Sequence, residues 1–342
     1  NLLKNQLKDF VYMRAFVTGG TGFLGQNLIA QLLKKGYSVR CLVRSPQKAR
    51  QLPEEVEIVV GDIMDPKTLD TRYFRGIDVV FHVAGLISSY NPSDYFRVNV
   101  DGTKNLIKAI LESGNRVKFI YTSTLASVGP GKDSEPIKES DEPHPVDFYG
   151  KSKRLAEDYV LLHKNILNVS IIRPTAIYGS LDLGFLPLFQ VSLKFAFPLI
   201  HGCLFSLIHV ADVVKLHILA AEKDVNSGEA YHLSDGNKYT FEQVYEILNR
   251  IAVEVLSRKL RKVDLPREFV IAFANLIRLI PASISNRLKI ITPDTLVRIA
   301  QKNWYCTYEK AERELGFRPD FEAYQGLRQS IMWYWKKIPS VI

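Results

Sequence analysis

Tyr149 and Lys153 are the residues best equipped for chemistry in this sequence, four apart in the run Tyr149-Gly-Lys-Ser-Lys153. On a helix that spacing puts the phenol and the ammonium on one face. A nearby cation favours the phenolate and lowers the tyrosine pKa, which gives Tyr149 an acid–base role near neutral pH. A surface tyrosine beside a solvated lysine has the same spacing, so the pair alone decides little. Ser123 and Thr124 add to it, because they end an apolar segment, Lys118 to Thr122. A hydroxyl there can hold a substrate oxygen that shares its proton with Tyr149.

A second feature binds rather than reacts. Thr18-Gly-Gly-Thr-Gly-Phe-Leu-Gly25 follows the apolar stretch Ala15 to Val17 and opens a helical pattern of Leu24, Leu28, Ile29, Leu32 and Leu33. Glycines let the backbone approach phosphates closely, and the first N–H groups of the helix stabilise the anion. A glycine run by itself is only a turn; between a strand and a helix it reads as a dinucleotide site. Gly19, Thr21, Gly22, Phe23, Leu24 and Gly25 are its candidate residues.

The elements that must carry these groups alternate along the first half. Ser38 to Val43, Val56 to Val60, Val79 to Val83, Lys118 to Thr122 and Val169 to Arg173 read as buried strands, with Ala230 to Leu233 as a later one. Helical patterns separate them, including Tyr95 to Glu112. Such alternation predicts an α/β fold, a Rossmann-type doubly wound parallel sheet with ligands at the carboxyl ends of its strands. From about Pro174 the alternation breaks. Gly184 to Phe205 reads as apolar and loop-like, Thr240 to Val255 as a helix capped by Thr240, and the rest to Lys337 as mostly helical. The expected division is a dinucleotide-binding domain of residues 13–173 plus about 207–235, and a smaller, mostly helical substrate lobe of about 174–206 plus 236–337. Residues 1–12 are read as an N-terminal extension.

Composition narrows the function. The 342 residues are 46% apolar and 24% charged, ordinary for a folded protein with a large core. Cys41, Cys203 and Cys306 form no Cys-x-x-Cys, and the seven histidines show no ligand spacing, so neither a disulfide framework nor a metal is expected. The cysteine usage suits a reducing compartment, and a cytoplasmic location is expected. A net charge of +9 favours anionic partners, yet nothing resembles a zinc finger, an RNP strand or a basic helix, so no nucleic acid is expected. Val263 to Ile291 joins apolar helical residues to the basic lead-in Arg258-Lys-Leu-Arg-Lys262. Such a helix can lie on a membrane surface, although a packed helix with a solvated cationic end is favoured. A small-molecule substrate is expected, and a homodimer is left open.

Gly19-x-x-Gly22-x-x-Gly25, Gly61-Asp62-Ile63, His82-Val-Ala-Gly85, Asn99-Val-x-Gly102-Thr103, Tyr121-Thr-Ser-Thr124, the Tyr149/Lys153 pair, Arg173-Pro-Thr-Ala-Ile-Tyr-Gly179 and His209-Val-x-Asp212-Val213 occur in one order. In these motifs the chain resembles the extended short-chain dehydrogenase/reductases, the NAD-dependent epimerase/dehydratases. The resemblance implies Tyr149 as acid/base, Lys153 as its partner and a ribose ligand, and Thr124 as the catalytic hydroxyl with Ser123 as fallback. It implies Asp62 and Ile63 beside an adenine, Ala84 and Gly85 beside a ribose–phosphate arm, and Asn99 within the cofactor site. It places Pro174 and Ile177 at a nicotinamide and gives Asp212 a structural role.

Members that prefer NAD commonly carry an Asp after the second strand; here Leu42-Val-Arg44-Ser45 stands instead. Arg44 can grip the 2′-phosphate of NADP, with Lys48 and Arg50 adding charge, so NADP(H) is preferred and NAD(H) stays open. The nucleotide-sugar branch usually shows an Asn where this chain has Ala176, and an Arg where it has Phe205 or Ser206. The pattern Val39-Arg40 to Arg44-Ser-Pro46 and the segment Trp304 to Gly316 are similar to dihydroflavonol-4-reductases and 3β-hydroxysteroid dehydrogenases. An alcohol/ketone oxidoreductase acting on a largely apolar molecule is therefore favoured. A nucleotide-sugar epimerase or dehydratase is the alternative, and a non-catalytic cofactor sensor is ranked below both.

Overall fold

Seven parallel strands form the sheet that carries the site in this computed structural model. The structure describes residues 13–182, 184–280, 284 and 291–337. The expected extension 1–12 and most of 281–291 therefore lie outside the described residues. The strands are β1 (Arg14–Thr18), β2 (Ser38–Val43), β3 (Glu57–Val60), β4 (Val79–His82), β5 (Lys118–Thr122), β6 (Asn168–Pro174) and, later in the chain, β11 (Glu229–Leu233). Their order is β11-β6-β5-β4-β1-β2-β3. The direction of winding reverses between β1 and β4, which is where sheets of this kind open a crevice for ligands.

Strand alternation sends Phe16 and Val17 to opposite faces, and both are fully buried. On one face Val17 joins Leu28, Ile29 and Leu32 of the helix Phe23–Lys34 and Val213 and Leu216 of the helix Val210–Glu222. On the other, Phe16 joins Phe74, Phe119, Leu106 and Ile110 of the helix Gly102–Glu112, and Ala156 and Val160 of the helix Phe148–Leu161. Each such side chain contributes about 1.5–3 kcal/mol on burial, so the sheet is held from both sides.

The region after β6 differs from expectation. Gly184 to Phe205 is not loop-like: it holds the helix Leu186–Lys194 and the strands β8 (Phe197–Ile200) and β9 (Leu204–Phe205). Leu186, Phe189, Phe197 and Leu199 are buried, and the last three pack with Leu248, Ile251, Leu327 and Ile331 in a separate core. The segment from Leu207 returns to the main sheet through the helix Val210–Glu222, which packs on it, and through β11. β10 (Leu207–His209) itself pairs with β7 (Ala176–Tyr178), and β11 with β6. β12 (Lys262–Leu265) pairs with β8 and β13 (Asn303–Trp304) with β9. The helix Phe241–Leu256 begins as expected, with Thr240 and Gln243 forming a capping box. Among the described residues no helix is long and apolar enough to cross a membrane.

Candidate active site

β1 and β4 end side by side, with Thr18 opposite His82, and their following loops touch. Gly19 adopts a positive φ of +73°, and a Cβ on it would lie 2.6 Å from the Ala84 backbone nitrogen. Only glycine fits both demands. Gly22 precedes the helix Phe23–Lys34 without a side-chain cap, so the first-turn N–H groups face outward unclaimed by any capping side chain. Leu24 and Gly25 pack inward, whereas Thr21 and Phe23 are part exposed along the loop. The Thr21 carbonyl accepts hydrogen bonds from Gln26 Nε2 and Gln51 Nε2, at 3.1 and 3.2 Å.

Thr21 also lines an open depression of about 580 Å³ with Gln47, Lys48, Arg50 and Gln51, a set without a carboxylate. Lys48 is solvent-exposed, as is Arg44, which follows directly on the end of β2. Asp62 and Ile63 follow β3; Asp62 Oδ1 accepts the Met64 N–H at 2.9 Å, and Ile63 is buried against Gly102. Buried His82 bridges the Thr18 hydroxyl through Nδ1 (2.7 Å) and the Thr103 hydroxyl through Nε2 (2.8 Å). Burial pushes its pKa down to about 3, with the Lys153 cation adding to the shift.

Asn99 sits in a π-helical stretch, Arg97–Asp101, inside the helical run that begins at Pro92. Such bulges re-aim side chains and recur at functional sites. Its amide accepts the Leu86 N–H at 2.7 Å and donates to the Leu86 carbonyl at 3.0 Å and Ser152 Oγ at 2.9 Å. Asn99 thus ties the loop after β4 to the helix that carries Tyr149. A Cβ on Gly85 would be 3.8 Å from Lys153 Nζ, which brings that loop to the lysine as well.

Tyr149 and Lys153 lie in the helix Phe148–Leu161, whose N-cap Asp147 accepts the Gly150 N–H at 2.7 Å. Thr124 Oγ1 accepts the Ala126 N–H at 3.2 Å, and the Thr124 side chain lies close enough to the Tyr149 hydroxyl to lower its pKa. Thr124 therefore meets the tyrosine, and Ser123 does not: its hydroxyl is buried and donates to Glu157. Lys153 Nζ donates to the Thr122 carbonyl at 2.6 Å and lies 4.2 Å over the Tyr121 ring. Burial pushes Lys153 down to about 7, opposed by Glu157. Burial pushes the Tyr149 hydroxyl above its ordinary value, opposed by the Arg298 guanidinium and the Thr124 side chain. Arg298, whose guanidinium lies 4.9 Å from the ring centre, is a second cation near Tyr149 that sequence spacing does not reveal.

Glu157 was not singled out from sequence, although it continues the spacing Tyr149, Lys153, Glu157. It is fully buried, takes three hydrogen bonds from Arg173 at 3.1, 3.2 and 2.7 Å, and accepts from Ser127 at 2.6 Å. Pro174 closes β6 opposite Leu233, and Ile177 lies in β7 opposite Ile208. Asp212 accepts the Asp320 and Phe321 N–H groups at 2.8 and 3.2 Å, so it anchors a C-terminal turn. Among the described residues no cluster of His, Cys, Asp or Glu could hold a metal ion.

Residues 16–267 match the 3-beta hydroxysteroid dehydrogenase/isomerase family. The chain belongs to that family, within the extended short-chain dehydrogenase/reductases. It is 30% identical to a 4-hydroxy-2-methyl-3-oxo-4-farnesyl-3,4-dihydroquinoline-1-oxide ketoreductase of Stigmatella aurantiaca, over 92% of this chain and 95% of that protein. It is 32% identical to the decarboxylating sterol-4-alpha-carboxylate 3-dehydrogenase of Homo sapiens, over 90% of this chain and 84% of that one. A Thermus thermophilus UDP-glucose 4-epimerase solved with NAD shares the fold at a TM-score of 0.76 and 22% identity, over 95% of this chain and 100% of that one. The family assignment makes the chain an NAD(P)-dependent oxidoreductase.

Proposed function

We propose that this family member interconverts an alcohol and a ketone on a largely apolar small molecule, preferring NADP(H), with Tyr149 as the acid/base. The observation that carries the reading is Tyr149 set one helical turn from Lys153, whose Nζ reaches the Thr122 carbonyl at the end of β5 and lies beside Gly85 of the loop after β4. The glycine loop, Ala84 and Gly85 would hold the dinucleotide, with Asp62 and Ile63 toward its adenine end and Pro174 and Ile177 toward its nicotinamide. The bound cofactor supplies or accepts the hydride.

This chain's own residues handle the proton. In reduction the Tyr149 hydroxyl gives its proton to the developing alkoxide while Thr124 donates a hydrogen bond to the same oxygen. In oxidation the proton returns the same way. Lys153, anchored on the Thr122 carbonyl, keeps an ammonium within reach of a ribose and of the tyrosine. Arg44, with Lys48 and Arg50 around the open depression, supports the preference for a 2′-phosphate.

The substrate class rests on different observations. Most of the apolar run Phe185 to Phe205 is packed in a core, so it lends little support as a pocket lining. What supports an apolar ligand is the lack of diphosphate partners at the two positions where nucleotide-sugar enzymes carry them. Ala176 and Phe205 or Ser206 replace the polar and basic residues of nucleotide-sugar enzymes, and Phe205 packs edge-on against Phe241 with ring centres 5.1 Å apart. Arg298 is engaged by Asp147 at 2.7 Å, and Arg278 lies 3.7 Å from Asp294. The two relatives, a ketoreductase and a sterol-carboxylate dehydrogenase, point the same way. The test is a paired panel of steroid, flavonoid and aryl ketones with NADPH against UDP-, GDP- and dTDP-sugars. Saturable reduction of an apolar ketone is expected. Conversion of a nucleotide sugar with no response to any ketone overturns the reading in favour of an epimerase.

A further inference from the structure

The face of Tyr149 turned away from the sheet is closed by a distant part of the chain. The helix Pro293–Ile299 packs on the first turn of the helix Phe148–Leu161. Asp294 Oδ2 accepts the Phe148 N–H at 3.0 Å, and Arg298 Nη1 donates to Asp147 Oδ2 at 2.7 Å. The Arg298 guanidinium centre then lies 4.9 Å from the centre of the Tyr149 ring. Its carbonyl accepts the Trp304 indole N–H at 2.7 Å, so the end of this short helix is fixed as well. Asp147 is 1% exposed and uses its other oxygen to cap the catalytic helix. One carboxylate thus sets both the tyrosine's helix and the arginine above the tyrosine.

The two cations near the phenol differ in kind. Lys153 is buried, which pushes its pKa down to about 7, while the Thr122 carbonyl and the Tyr121 ring favour its ammonium, so its charge is open to titration near neutral pH. A guanidinium does not lose its proton in a protein, and it stacks well on an aromatic face. We propose that Arg298 is a positioning residue of the active site: a permanent cation, laid on the Tyr149 ring by the C-terminal segment, that stabilises the phenolate left when Tyr149 gives up its proton. This rests on Tyr149 being the acid/base. It also makes the seating of the helix Pro293–Ile299 a condition of full activity, because that helix carries the charge.

The charged and titratable groups facing Tyr149 set the expected sign. Asp147 and Lys153 belong to its own helix, and Arg298 and Asp294 come from the helix Pro293–Ile299. Tyr95 stands 6.3 Å away ring to ring, Tyr121 lies beneath Lys153, and Thr124 lies beside the hydroxyl. Of these, Asp147 works against the phenolate and Arg298 for it. An opposite charge at this range shifts a neighbouring acid by about 1–3 pH units.

The test places 3,5-difluorotyrosine at position 149 of the full chain. Its fluorines lower the phenol's own midpoint and give a single fluorine NMR signal that needs no substrate or cofactor. The titration is followed in the parent, in Arg298→Lys and in Arg298→Gln. It is repeated in Asp147→Asn with and without Arg298→Gln, a background that keeps a capping side chain and leaves no buried carboxylate unpaired. The expected result is a midpoint raised by about one pH unit or more in Arg298→Gln, largely restored in Arg298→Lys, with the same shift between the two Asp147→Asn proteins. The pH profile of kcat for ketone reduction should move in the same direction while KM changes little. An unchanged midpoint in both backgrounds overturns the proposal. Tyr149→Phe separates this from the underlying reading: if that variant turns over normally, the acid/base assignment fails, whatever the titration shows of Arg298.

Discussion

Around Gly19 the site is made of backbone, and around Tyr149 it is made of side chains. The glycine loop meets the Ala84 loop through main-chain atoms, with a positive φ and no room for a Cβ, and its helix start is left open to solvent. The tyrosine instead stands among buried and half-buried charges: Lys153, the Glu157–Arg173 pair and the Asp147–Arg298 pair, of which Arg298 is partly exposed. A diphosphate is recognised by N–H groups that any sequence with the right glycines can offer. Proton transfer needs a tuned pKa, and tuning needs burial and charge brought from several elements. The two halves of the site should therefore fail differently when altered.

The largest effect should come from the side-chain half. Tyr149→Phe keeps the ring under Arg298 but removes the proton donor. General acid–base catalysis contributes about a hundredfold to ten-thousandfold, so kcat should fall by that factor. Cofactor affinity should be nearly unchanged, because the backbone cradle is intact. Steady-state rates and cofactor titration on one preparation check both claims. If affinity collapsed together with kcat, the two halves would not be independent.

The same contrast explains what could be read from sequence. The strands Ser38–Val43 and Lys118–Thr122 have their expected bounds, and Glu57–Val60 is one residue shorter than expected, because buried parallel strands are short β-rich runs between helical patterns. Gly19 and Gly25 were legible because spacing and neighbours are local. The helix Leu186–Lys194 and the strand Phe197–Ile200 were not, because short apolar segments carry no decisive period and their partners, such as Leu248 and Leu327, lie far along the chain. Glu157 left a faint signal in the spacing from Lys153. Arg298 left none, since only the folded chain brings it to Tyr149. Ser123 and Thr124 are adjacent in sequence, and only the structure shows that one turns to Glu157 and the other to Tyr149.

A second prediction sharpens the comparison through pH. His82, His217 and His232 are buried and bonded, and burial pushes their pKa values down to about 3, 4 and 4. His82 and His217 sit under the site, the latter bonded to the Thr122 hydroxyl at 2.8 Å. Their folded values lie below the unfolded one, so between about pH 6.5 and 4 the unfolded chain binds more protons. Stability should therefore fall as pH falls through that window, by at most about 1.4 kcal/mol per pH unit for each histidine. Urea unfolding at several pH values measures the slope, and His217→Gln should reduce it by about one proton's worth. A slope that does not change removes His217 from the effect.

The smallest effect belongs to the open edge. Arg44 is exposed directly after the end of β2, in the same connection as Lys48 and Arg50, which line the open depression. An exposed guanidinium on a phosphate is screened by water and by its cationic neighbours, so its removal should cost less than loss of a buried partner. Arg44→Ala should weaken NADPH binding by about tenfold, within the range of one charged hydrogen bond, and leave NADH within about twofold. Only NADPH carries the additional phosphate, so the ratio of the two dissociation constants isolates that contact from any general loosening of the loop. The loss should also shrink as salt rises, because the interaction is solvent-exposed. Equal weakening of both cofactors, independent of salt, would mean that Arg44 stacks on the adenine or props the loop, and the preference for NADP(H) would then have to rest on Lys48 and Arg50 alone.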